Sequence, residues 1–123
     1  MSADSIIRAA RATSVALGSK GTAYNSAAMR RSAVERSLRD VHGRLVRKRQ
    51  ELAVLDEQLG VLTEAADDAR LRALVSETPI AGHDFHDAQR HADAAARARE
   101  ELVGVIDELE HRQDELLGKL AGE

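Results

Sequence analysis

Three of the chain's five histidines fall within nine residues, where His83, Asp84, His86, Asp87 and His91 gather imidazole and carboxylate groups. Side chains four apart on a helix share an edge, so His83, Asp87 and His91 would line one side of it. Two imidazoles and a carboxylate suit Zn²⁺ or a similar ion, which makes the trio a candidate metal site, with Asp68 of the preceding segment as a fourth oxygen donor. The plainer expectation is structural. Asp84 and Asp87 would complement the positive end of a helix dipole, while the histidines stay solvated or paired with acids.

Other chemistry is harder to find. The chain has no Cys, which removes disulfides, thiolate metal sites and thiol nucleophiles together. Gly18, Ser19, Lys20, Gly21 and Thr22 lack the spacing and the preceding strand of a phosphate loop, so they are expected to be a flexible break. A helical hairpin offers no deep pocket in which to shift a pKa, so the expectation is a chain that is not an enzyme, with no catalytic residue and no cofactor.

The elements that position these residues follow from composition and period. With 123 residues, 32% charged, 2% aromatic and one Pro, the chain fits one small all-α domain better than a sheet. Over residues 38–73 the series Leu38, Val41, Leu45, Lys48, Leu52, Leu55, Leu59, Leu62, Ala66, Ala69, Ala73 keeps a three-then-four spacing, the seam of a coiled coil. After Ser76–Gly82, read as turn and breaker residues around Pro79, a second helix from about His83 to Leu120 repeats it: Phe85, Ala88, Ala92, Ala95, Arg99, Leu102, Ile106, Leu109, Gln113, Leu116, Leu120. The predicted fold is a long antiparallel coiled-coil hairpin over 25–123, its first helix starting near Asn25 or Ser26. Residues 1–24 are expected to hold a short amphipathic helix at about 4–17, capped by Ser2 or Asp4, and the linker.

In that hairpin, facing residues have numbers adding to roughly 159. The alanines of the two seams then meet near the turn, the leucines meet at the other end, and Lys48 falls beside Gln113 as a polar layer. Charge agrees with the pairing. Residues 30–49 carry eight Arg or Lys against Glu35 and Asp40, whereas residues 100–123 carry eight acids against Arg112 and Lys119.

Two resemblances bear on function. Asn25-Ser-Ala-Ala-Met-Arg-Arg-Ser32 followed by Leu38, Leu45, Leu52 and Leu59 resembles the basic region and leucine zipper of bZIP proteins, which implies nucleic-acid binding. The spacing, the thin basic region and the second matching helix depart from that pattern, and the balanced charge argues against nucleic acid. The stretch 84–92 resembles the acidic tip of Gre-type transcript-cleavage factors, which implies Asp84 and Asp87 at a catalytic Mg²⁺ in a pore of RNA polymerase, though no counterpart of that family's globular domain is present.

The leading expectation is a non-enzymatic interaction module that acts as adaptor, regulator or assembly factor on a protein partner. No apolar run is long enough to cross a membrane, and a cytoplasmic location is expected. Leu71, Leu74, Val46, Val54, Val61, Val103, Val105 and Leu117 lie beside the seams and need cover. The first helix should also overhang the second at its start. Ile6, Ile7, Val15 and Leu17 with Tyr24, Ala27, Met29 and Val34 need cover, either by fold-back of the N-terminal helix into a three-helix base or, as the favoured expectation, against a second chain as a homodimer. Partner-binding residues are therefore expected to be Ile6, Ile7, Leu17, Tyr24 and Val34 at that end, and Asp84 and Asp87 at the tip.

Overall fold

The connection between the helices is two residues long, and local chemistry explains why. In a computed structural model that describes residues 19–122, α1 spans Ser19–Ser76 and α2 spans Pro79–Ala121. Glu77 takes the left-handed conformation that ends a helix, φ 51°, and its N–H donates to the Ala73 carbonyl at 3.1 Å. Thr78 then caps α2. Its Oγ1 accepts from the Ala81 N–H at 3.2 Å, and its carbonyl accepts from the Gly82 N–H at 3.2 Å.

Pro79 therefore opens α2 rather than marking a bend. At the first helical position its missing N–H has no partner to lose and its fixed φ already suits the helix. This corrects the expected turn at 76–82: Ile80, Ala81 and Gly82 are helical. The start of α1 is corrected too. Ser19, Lys20, Gly21 and Thr22 belong to α1, so the helix begins six residues before Asn25 instead of after a flexible break. The expected short helix at 4–17, with Ile6, Ile7, Val15 and Leu17, lies outside the described residues, as do Gly18 and the side chain of Tyr24.

The two helices pack against each other as an antiparallel hairpin. Two ion pairs fix the direction: Arg49 Nη2 donates to Glu110 Oε1 at 3.1 Å, and Arg99 Nε donates to Asp56 Oδ1 at 2.5 Å. The first pair's numbers add to 159 and the second pair's to 155, so as α1 advances α2 returns. All twenty-two seam positions, eleven on each helix, are buried or half-buried. A periodic stripe is hidden because a helix has only one side that can face its neighbour.

Packing divides the chain into two compact units. In Asp40–Glu115 the buried core is Val41, Leu45, Ala66, Ala69, Ala92 and Ile106, with alanines toward the turn and branched or long side chains away from it. In the other unit, Leu116 is buried and Val34, Leu38 and Leu120 are half-buried, while every residue of 25–33 is exposed. That is the expected overhang. At 58 residues against 43, α1 is longer by fifteen residues, on the order of 20 Å of helix.

Candidate functional site

At the tip, the His83, Asp87, His91 series stands on one edge of α2 as its spacing dictates, but it does not assemble a metal centre. Eight residues of helix separate the two histidines by about 12 Å, too far for one ion to bridge. Among the described residues no group of three His, Asp or Glu side chains is placed to hold a metal. His83 Nε2 instead lies 3.3 Å from Asp87 Oδ2, and Arg90 donates to the other oxygen of the same carboxylate. That guanidinium holds Asp87 below the usual carboxylate range; partial burial opposes the shift, and the charges of His83, Arg90 and His91 add to it. Asp84 is exposed, and Phe85 stacks on His86 with ring centroids 5.8 Å apart. The tip acids are thus unlike one another: Asp84 faces water and Asp87 is engaged by its own helix.

The polar residues within the seams have separate solutions. Lys48 sits at a seam position with its stem half-buried, and its ammonium runs out to Glu51 at 3.3 Å on the same helix. Gln113 is half-buried, and among the described residues no buried side-chain nitrogen or oxygen lacks a hydrogen-bond partner. Of the two ion pairs between the helices, Arg99 to Asp56 is the one that starts from a seam position, and the spacing of the repeat did not foretell it.

The outer faces of the two helices differ sharply. On α2 the outward positions 93, 100, 107 and 114, and 101, 108 and 115, are all acidic, with Arg97 and His111 between them. The open trough there is lined by Asp107, Glu108, His111, Arg112 and Glu115. On α1 the outward side carries large apolar residues among its charges. Met29, Val46, Val54, Val61, Leu71, Leu74 and Val75 are all at least 40% exposed, and all fall on the three positions of the seven-residue repeat farthest from the seam. The tip adds Ile80, 75% exposed, beside Val75 at 85%.

Of the apolar residues expected to need cover, Val46, Val54, Val61, Leu71, Leu74, Val105 and Leu117 are exposed, and Val103 is half-buried. Val75 and Ile80 were missed because Val75 stood only as the last residue of the first helix and Ile80 was read as part of the turn. Their signal was available: two β-branched residues flanking a Thr-Pro pair, where the Thr can cap and the Pro can begin a helix. Val34 is half-buried.

Comparison of the chain with known protein families, with characterised proteins and with solved structures finds no match.

Proposed function

We propose that the chain is a non-enzymatic helical interaction module, an adaptor, regulator or assembly factor of the cytoplasm, whose working surface is the outward side of α1 continued onto the hairpin tip. The observation that carries this reading is that α1 bears large apolar side chains on two sides. One side is spent on α2, whereas the other leaves Val54, Val61, Leu71, Leu74 and Val75 more than half exposed. A helix with two apolar sides is ordinarily an inner helix of an assembly. Each large side chain buried there contributes on the order of 1.5 to 3 kcal/mol, so five supply ample driving force for a partner. Self-association belongs to the same reading. No helix among the described residues is long and apolar enough to cross a membrane.

The test compares the full chain with a Leu71→Ser/Leu74→Ser/Val75→Ser/Ile80→Ser variant as baits in native lysate, read by mass spectrometry. The expected result is a defined protein retained by the parent and lost by the variant, with helix content unchanged. Identical retention by both baits, or none by either, would sink the reading. Polymerase subunits retained through Asp84 instead would favour the acidic-tip alternative.

A further inference from the structure

The outward side of α1 has an order of charges that the apolar count alone does not convey. Its middle holds Val46, Ala53, Val54, Gly60 and Val61, with Arg47 and Glu57 the outward charges among them. Over residues 36–50 the outward bases are Arg36, Arg39 and Arg47 against Asp40, and Gln50 is neutral. Toward the tip the outward charges are Glu57, Glu64, Asp67 and Asp68, with no base among them. Among the described residues none of these side chains takes part in an ion pair; Arg39 turns only to the Glu35 carbonyl.

We propose that this side of α1 docks, antiparallel, on the same side of α1 in a second copy of the chain. The inference rests on the interaction-module reading and names one partner for its surface. Direction follows from charge. A parallel pair would set arginine on arginine and acid on acid, while an antiparallel pair brings the basic end of each copy onto the acidic end of the other. Centred between Ala53 and Val54, the pair places Val46 opposite Val61 of the second copy and Arg39 opposite its Asp68. Arg47 falls within one turn of Glu64 of the second copy. The two-fold axis repeats each contact, so every favourable junction occurs twice. Asp40 opposite Asp67 is the one like-charge encounter, and Arg39 flanks it. A Cβ added at Gly60 would meet nothing within 4 Å, so the centre of the face is open to a close neighbour.

The overhanging residues are the poorer site for self-pairing. Residues 25–39 carry Arg30, Arg31, Arg36 and Arg39 against Glu35 alone, so overhang on overhang concentrates like charge.

Sedimentation equilibrium at low ionic strength on the full chain, on Arg39→Glu/Arg47→Glu, on Glu64→Lys/Asp68→Lys, and on an equimolar mixture of the two variants tests the pairing. The parent is expected to dimerise. Each variant alone faces like charge at both junctions and should dimerise at least about tenfold more weakly. The mixture regains opposite charge at both junctions and should form a heterodimer of parental affinity. A neutral variant, Val54→Gln/Val61→Gln, removes the apolar centre without touching charge and should weaken the dimer by a similar factor; circular dichroism on every chain verifies that helix content is kept. A parent that stays monomeric at high micromolar concentration overturns the proposal. So does a dimer indifferent to both charge sets, or a mixture that fails to restore association. The broader reading stands or falls separately, on whether the tip variant loses its bound protein.

Discussion

Among the described residues Leu45 and Leu116 are the two large side chains sealed from water, one in each unit. Truncating either to Ala is expected to cost on the order of 2 to 5 kcal/mol, because a thin two-helix core has little material with which to refill a cavity. Val61, two-thirds exposed, is the contrast: its truncation should change monomer stability by less than about 0.5 kcal/mol. Urea unfolding at a concentration where the chain is monomeric separates the two outcomes. Asp87 gives a second residue-scale expectation. Its folded-state pKa is lowered, so its contribution to stability is present above the ordinary Asp pKa and is lost as pH falls through the lowered value. In a carboxyl-carbon NMR titration its midpoint should lie below that of a free Asp side chain, and Arg90→Ala should move it up, since the Arg90 hydrogen bond is the largest cause. A midpoint unmoved by Arg90→Ala would mean that the pair does not persist in solution.

The connection between the helices shows how two residues can specify a hairpin. Glu77 occupies a left-handed position that side chains with a Cβ adopt at a cost of roughly 1 to 2 kcal/mol. Glu77→Gly should therefore stabilise the chain by about 1 kcal/mol, and Thr78→Ala should destabilise it by about the same amount through loss of the cap. Opposite shifts in the thermal midpoint would check both at once; two losses would show that Glu77 contributes something beyond backbone shape. Lys48 makes an element-scale case as well. Its ammonium is already led out to Glu51, so Lys48→Leu keeps the stem's packing and adds apolar burial. A gain of about 1 kcal/mol is expected in denaturant unfolding.

For the molecule as a whole, the two kinds of charged contact should respond differently to salt. Arg49–Glu110 and Arg99–Asp56 are each about half exposed, so each contributes no more than about 1 kcal/mol to the hairpin, and added salt should move the monomer's melt little. The proposed dimer joins opposite charges through four junctions across an interface. Raising the salt from about 50 mM to about 500 mM should weaken it about tenfold or more, measured by sedimentation. A strong salt effect on the melt with none on association would reverse the assignment of these charges.

The sequence by itself determined the helices, their antiparallel pairing and the seam. A three-then-four spacing of Leu and Ala allows one buried side, and matched alanine and leucine blocks allow one direction of pairing. It also carried the unmet demand of Val46, Val54, Val61, Leu71 and Leu74, which stand off the seam wherever the helix is drawn. Helix ends were less legible. Pro79 and Gly82 are strong breakers in composition, yet a Thr cap and a first-turn position make both compatible with a helix. The ligand set at His83, Asp87 and His91 was a statement about spacing alone. Coordination needs donors that converge, and on one straight helix edge they diverge along the axis. Only the tertiary structure decided that Arg99 answers Asp56, and that α2 presents acid outward while α1 leaves large apolar side chains exposed, because each of those depends on which side of a helix the neighbouring helix has taken.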